Sequence, residues 1–422
     1  MKTIIQGVKG ARDFYPEDMA YRSWLYENIR GVSASFGYQE YDAAFLERVD
    51  LYAAKSGDEL VKEQSFVFSD RGGDLITLRP ELTPSLARMI AQRQNDVVFP
   101  VRWWSFGPFW RYEKPQKGRS REFFQWNCDL IGPNSAEADA ELISIAASFM
   151  KRLGLRGSQV HIRVNHRKLM ESQLQTMGIA EEDIKQVFKI IDKREKLHRE
   201  VWRQYALETG LTVEQTDKLE ALISNLDLWQ ESPELVRIFE IIRATGLEEY
   251  IRFDPSVIRG LDYYTGVVFE ARDEDGEFRA ILGGGRYNNL VGDVGGQPVG
   301  GLGFAMGEMV IRLALQKYGC LSEFNLFPAR VMVTIFDEGS AIKSILLTNT
   351  LRKAGISASC YPEIAKLPKQ FKYADRAGVR FMVVLGPDEQ AAGKVTVKDL
   401  TSGSQELVAE SELAGYFSTK LA

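Results

Sequence analysis

The sequence predicts an α+β protein: a mainly antiparallel sheet flanked by helices, interrupted by a charged helical module and followed by a small separate α/β domain. Three observations carry this prediction. Two runs at 97–112 and 121–131, rich in β-branched and aromatic residues, are joined by the loop KPQKGRS, the pattern of an antiparallel hairpin. Residues 167–249 have helical periodicity and many charges, and read as an inserted helical module. Beyond residue 330, strand-like and helical patterns alternate over a short stretch, as in a compact α/β domain.

Taken in order, residues 17–36 read as a helix, with Met19, Trp24, Leu25, Ile29 and Val32 near helical spacing. Alternation along the hairpin separates two faces. Phe124, Trp126, Cys128 and Leu130 form an apolar set on the second strand, and Phe123, Gln125, Asn127 and Asp129 form the other. On the first strand Arg111 and Glu113 share one parity, while Trp104, Phe106, Trp110 and Tyr112 share the opposite one. One face should pack on a core. The other presents Arg, Glu, Phe, Gln and Asp, either to a ligand or to water. A helix rich in Ala and Glu spans 135–153 and stops at Gly154. VHIRVNHRKL reads as a strand followed by a loop. Strands return at 265–272 and 277–282, then come a glycine-rich connection and an apolar helix at about 306–317. CLSEFNLFPAR (320–330) is linker-like. After it RVMVTIF, ASCYP, VRFMVVLG and KVTVKDL are strand-like, with helical patterns at 338–354, 368–378 and 409–419.

The chain has 422 residues, of which 45% are hydrophobic and 26% charged, enough for two or three domains with sizeable cores. MKTIIQGVKGARDFYPED lacks a basic start followed by an apolar stretch, and no apolar run of about eighteen residues occurs, so neither secretion nor a membrane location is expected. Three widely spaced cysteines (Cys128, Cys320 and Cys360) fit free thiols in a reducing compartment, which points to the cytoplasm. His161 and His166 have neither nearby cysteine nor HExxH spacing, so no metal site is expected from them. The net charge of −5 does not announce nucleic acid, but Arg111, Lys114, Lys117, Arg119 and Arg121 cluster against the single acid Glu113.

Further motifs are individually ambiguous. RPELTP (79–84) sets Glu81 and Thr83 beside Arg79, suited to gripping a substrate amine or to an ordinary turn. RGLDYYTGVVFE (259–270) puts Arg259 and two tyrosines ahead of a strand, and LGGGRYNNLV (282–291) puts three glycines before Arg286 and Tyr287. These glycines serve either close approach to a ligand or a tight β connection. GGLGFAMG (300–307) has the wrong spacing and an antiparallel context for a dinucleotide fingerprint.

Together, FWRYEKPQKGRSREFFQWNCDLIG, TLRPELTPSLAR, VIRGLDYYTGVVFE and GGGRYNNLVGDVGG resemble the histidyl-tRNA synthetases, within the class II synthetase group. KQFKYADRAGVRFMVVLG with KVTVKDLTSG resembles that family's anticodon-binding domain. The resemblance implies a class II catalytic domain over 1–322, with its insertion at about 167–249, an anticodon-binding domain over 329–422, and a homodimer. It implies activation of histidine with ATP and Mg²⁺, then transfer to the 3′ end of tRNA-His. By position, Arg111 and Arg259 match arginines on the α-phosphate, Glu113 the acid near the adenine amino group, and Phe123 the ring stacked on adenine. Glu81, Thr83, Gln125 and Asp129 match groups around the histidine ammonium, and Tyr263, Tyr264 and Tyr287 the lining of the imidazole pocket. Lys114, Gln116, Lys117, Arg119 and Arg121 match the loop that meets the tRNA acceptor end. One position departs from the pattern. Class II motif 3 usually ends in Gly-x-Glu-Arg, its arginine contacting ATP, whereas Val310 stands there in GFAMGEMVIRL. Arg312, about 200° further around a helix at ~100° per residue, is no simple substitute, which leaves another cation or a second metal. The alternative is a non-catalytic paralogue, such as the synthetase-like regulatory subunit of ATP phosphoribosyltransferase, which would need neither the last domain nor the basic loop.

Overall fold

The computed structural model describes residues 4–53, 64–114, 118–258, 263–321, 323–324 and 326–421. The chain divides into two compact units, one of residues 1–13 and 22–322, the other of 14–21 and 323–422.

The strands of the first unit are β1 (Gln39–Glu40), β2 (Leu46–Arg48), β3 (Phe66–Ser69), β4 (Leu75–Leu78), β5 (Val101–Trp110), β6 (Glu122–Gly132), β7 (Val160–His166), β8 (Ile251–Phe253), β9 (Val267–Asp273), β10 (Leu282–Arg286) and β11 (Gly300–Gly307). Among the described residues, eight of them form one sheet in the order β1-β5-β6-β11-β10-β9-β7-β8, antiparallel except for the outermost pair at each edge. β2, β4 and β3 make a smaller antiparallel sheet. The predicted hairpin is β5–β6, with Phe109 opposite Phe123 and Trp103 opposite Asp129. Its even-numbered face, Trp104, Trp126, Cys128 and Leu130, is buried as its aromatic composition requires. The helix Ala136–Arg152 packs behind it. Ser135 caps that helix by accepting from the Ala138 amide, acids fill its first turn and Lys151 and Arg152 its last, and Gly154 reverses the chain at φ +81°.

The expected helical module is present. Helices Arg167–Thr176, Ile184–Asp192, Arg199–Glu208, Val213–Ile223 and Pro233–Ala244 enclose Ile190, Trp202, Leu219, Leu235 and Ile238, all fully buried. Thr212 and Gln215 form a reciprocal capping box that starts one of them.

Three expectations need correcting. The strand expected at 277–282 begins only at Leu282, so the glycines Gly283, Gly284 and Gly285 lie inside β10 and are not a connection. GGLGFAMG is itself the strand β11, between β6 and β10 in the sheet. After His166 the chain enters a helix, not a loop, with the His166 Nδ1 accepting from the Leu169 amide. His161 is equally occupied, paired with Glu274 at 3.0 Å.

The second unit holds β12 (Val331–Val333), β13 (Ala358–Cys360), β14 (Phe381–Val384), β15 (Lys394–Asp399) and β16 (Gln405–Ala409), in the sheet order β13-β12-β14-β15-β16. Helices Glu338–Lys353, Leu367–Ala377 and Leu413–Lys420 correspond to the expected ones. β16 and the short helix Pro387–Ala392 were not apparent in the sequence. Val331, Val333, Leu351, Phe381, Val383, Val395 and Phe417 form its core.

Candidate active site

The odd-numbered face of the hairpin, continued across β11 and β10, forms the floor of a cavity of about 640 Å³. Glu81, Thr83, Arg111, Glu113, Arg119, Phe123, Gln125, Tyr263, Tyr264 and Tyr287, expected from separate segments, all line it. This face is not a solvated one: Asn127 and Asp129 are each only 3% exposed.

One end of the cavity is built from tyrosines and carboxylates. Tyr263 stands 5.0 Å from Tyr264 and 6.1 Å from Tyr287 between ring centres, the latter pair edge to face. The Tyr263 hydroxyl donates to the buried Glu81 carboxylate at 3.3 Å, and the Tyr52 hydroxyl donates to the Glu81 carbonyl oxygen at 3.2 Å. The Tyr287 hydroxyl donates to Asp129 at 2.5 Å. Asp129 therefore lies behind Tyr287 and does not itself line the cavity. Burial raises the Asp129 carboxyl to about 7, against the lowering effect of the Tyr287 hydrogen bond. Burial, with Asp129 beside it, also pushes the Tyr287 phenol well above its ordinary range. The pair fits because β11 is bare beneath it. A β-carbon on Gly303 would fall 2.1 Å from an Asp129 carboxylate oxygen, and one on Gly301 would fall 2.5 Å from the Tyr287 ring.

The other end carries a ring and guanidinium groups. Arg111 lies over Phe123, 5.3 Å from its centre, and its Nε donates to the Pro80 carbonyl at 2.9 Å. Phe123 is backed by Phe109, whose ring lies 6.0 Å away and nearly parallel. Glu113 is held by Arg119 at 3.0 Å. A flat ring flanked by a cation, beside carboxylates, suits a nucleobase with an attached phosphate.

The remaining expected residues are distributed unevenly. Arg259, Gln116 and Lys117 lie outside the described residues. Lys114 is exposed. Arg121 lies over Tyr112 at 4.0 Å and donates to the Lys9 carbonyl at 3.3 Å, apart from the cavity lining. Arg79 and Arg286 are structural. Arg79 is completely buried between Phe45 and Phe109 and paired with Asp42, and Arg286 is paired with Asp139 at 2.8 Å. The sequence did not single out Arg279, which lines the cavity from the segment leading into β10, or Tyr41, whose buried hydroxyl has no hydrogen-bond partner among the described residues and which lies near Asp129. Asn127, noted only as a member of the polar strand face, lines the cavity with its amide nitrogen unpartnered among the described residues.

Similarity to known proteins agrees with this arrangement. The family model described as histidyl-tRNA synthetase matches residues 10–309, and the one described as anticodon binding domain matches residues 332–420. The histidine–tRNA ligase of Thermoplasma volcanium is 39% identical over 98% of both chains. The chloroplastic/mitochondrial histidine–tRNA ligase of Arabidopsis thaliana is 38% identical, over 98% of this chain and 86% of that one. The crystal structure of histidyl-tRNA synthetase from Nostoc sp. PCC 7120 matches with a TM-score of 0.86 at 27% identity, covering 99% of this chain and 100% of that one. With a cavity that joins a tyrosine–carboxylate end to an arginine–phenylalanine end, the chain belongs to the histidyl-tRNA synthetase family, enzymes that join histidine to its tRNA.

Proposed function

We propose that histidyl-adenylate forms in this cavity and that its residues divide between the two reactants. At the tyrosine end, Glu81, Thr83 and Gln125 hold the histidine ammonium, while Tyr263, Tyr264 and Tyr287, with Asp129 behind, enclose the imidazole. At the other end Phe123 stacks on adenine, Glu113 receives its amino group, and Arg111 and Arg259 hold the α-phosphate. The observation that carries this reading is the single cavity containing both the buried Glu81 carboxylate and the Arg111–Phe123 pair.

No catalytic histidine is required, since the substrate carboxylate is already a nucleophile. It attacks the α-phosphorus in line, its oxygen forms the new P–O bond, and pyrophosphate leaves. The protein's task is to hold the reactants and balance charge on the phosphoryl oxygens. The 3′-terminal ribose hydroxyl of tRNA-His then attacks the adenylate carbonyl, and AMP leaves. Mg²⁺ fits as an ion that arrives with the triphosphate and neutralises part of its charge. The carboxylates at that end, Glu113 and Glu308, each pair with an arginine at 3.0 and 2.9 Å and would add at most one or two contacts.

The loop with Lys114, Gln116, Lys117, Arg119 and Arg121 meets the tRNA acceptor end, residues 1–322 form the catalytic domain and 329–422 read the anticodon. A homodimer is supported by the small sheet β2-β4-β3 and its flank, which leave Phe45, Leu46, Phe68 and Leu75 exposed. Among the described residues no helix is long and apolar enough to cross a membrane, and the free cysteines suit a cytoplasmic enzyme. A regulatory paralogue is disfavoured by the match at 332–420. The test is histidine-dependent exchange of pyrophosphate into ATP. Glu81→Ala and Arg259→Ala should each abolish most exchange without unfolding the protein, and exchange at the unaltered level in both would show that the site lies elsewhere.

A further inference from the structure

The nucleotide end of the cavity has a wall that the expected arginines do not explain. β11 runs directly into the helix Glu308–Lys317, bringing Met309 and Val310 to that wall. Val310 is buried and apolar where motif 3 ordinarily supplies a cation. Facing it across the sheet is the segment that enters β10. The Leu282–Met306 pair closes the β10–β11 ladder, so the segment entering β10 and the start of that helix lie at the same end of the sheet. The packing agrees: a β-carbon on Gly118 would meet Val310 Cγ2 at 3.6 Å and Arg279 Cδ at 3.9 Å, so the two side chains border one spot in the cavity wall.

The charges at this end show why a cation belongs there. Arg119 is committed to Glu113 at 3.0 Å, and Arg111 is fixed over Phe123 by its bond to the Pro80 carbonyl. Arg111 suits a phosphate next to the ring, but an extended triphosphate continues past it and carries most of its negative charge at the far end. Arg279 lines the same cavity from the segment entering β10, two strands away from Phe123 on β6, and a guanidinium offers paired donors for phosphate oxygens.

We propose that Arg279 binds the β- and γ-phosphates of ATP, performing from the β10 side the task that Val310 cannot. The proposal rests on the assignment of ATP to this end of the cavity. Arg279 thereby orients the leaving pyrophosphate in line with the attacking histidine carboxylate.

The test uses the full-length protein and compares Arg279→Ala, Arg279→Lys and Arg111→Ala. Affinities for ATP, AMP and histidine are measured by titration, and pyrophosphate exchange is followed with ATP varied. Arg279→Ala should weaken ATP 10-fold or more, by roughly the effect of losing a charged hydrogen-bond partner. It should leave AMP and histidine affinities within about twofold, because AMP lacks the two phosphates concerned. Arg279→Lys should recover part of the loss. Unchanged ATP affinity in Arg279→Ala overturns the proposal, as does an equal loss for AMP or histidine, which would mark a structural role. Arg111→Ala separates the two levels of the argument: if it abolishes exchange while Arg279→Ala is silent, only the Arg279 assignment fails. If both are silent, ATP has been placed in the wrong cavity.

Discussion

Replacing Tyr287 by phenylalanine removes a single oxygen from the tyrosine end of the cavity and tests how imidazole is recognised. That oxygen donates to Asp129 at 2.5 Å, and both residues are at most 3% exposed. A buried hydrogen bond to a charged group contributes about 1.5–3 kcal/mol, and ~1.4 kcal/mol corresponds to a tenfold change in affinity. This bond is present with or without substrate, so its loss should lower unfolding stability by about 1.5–3 kcal/mol. Histidine KM in pyrophosphate exchange should rise because the pocket wall it fixes loosens, while ATP KM stays within about twofold. Burial holds the Asp129 carboxyl at about 7 even against the lowering effect of this hydrogen bond, so its loss should move that titration upward and leave more Asp129 protonated at neutral pH. Exchange assays with histidine varied, between pH 6 and 8.5, measure the KM and the titration. An unchanged histidine KM would refute the reasoning, and a parallel rise in ATP KM would show that the hydroxyl shapes the fold and not the substrate.

Other perturbations separate the remaining roles. Arg111→Ala should cost about 10²–10³ in the rate of exchange, by analogy with a lost oxyanion donor, with the circular dichroism spectrum unchanged; a loss under tenfold would remove Arg111 from the reaction. Deleting residues 329–422 should impair tRNA charging more than adenylate formation, and equal losses would contradict the domain roles. Asp129→Asn tests the linkage of charge to stability. Because the folded-state carboxyl titrates near 7 against about 3.9 in an unfolded chain, its contribution is full below pH 4 and is lost as pH rises through about 7. Urea midpoints of the unaltered protein should carry that decline and those of Asp129→Asn should lack it; identical pH profiles would refute it.

The parts of the fold that were legible in the sequence are those in which side chains carry the pattern. The hairpin could be read because Trp126, Cys128 and Leu130 alternate with Phe123, Gln125 and Asp129 and the two sets are chemically distinct. β10 and β11 could not, because LGGGR and GGLGFAMG have low strand propensity and are held in the sheet by pairing with β9 and β6. Ten of the residues named by motifs line one cavity, whereas Arg121 lies apart from it and Arg259, Gln116 and Lys117 lie outside the described residues. The motifs did not single out Arg279, which reaches the cavity from a segment placed only once β10 is known to pair with β11. Strand parity put Asp129 on the same face as Gln125 but could not show that it stands behind Tyr287; parity gives the face of a residue but not its depth.

The bare stretch of β11 under Tyr287 and Asp129 also constrains how this enzyme can change. Gly301 and Gly303 hold open two volumes that a single methyl group would close, one against the ring and one against the carboxylate. The shape of the proposed imidazole pocket thus depends on atoms the strand omits. A mutation at either position would displace its partner rather than trim the pocket, so the tyrosine, the acid and the two glycines must vary together or stay as they are.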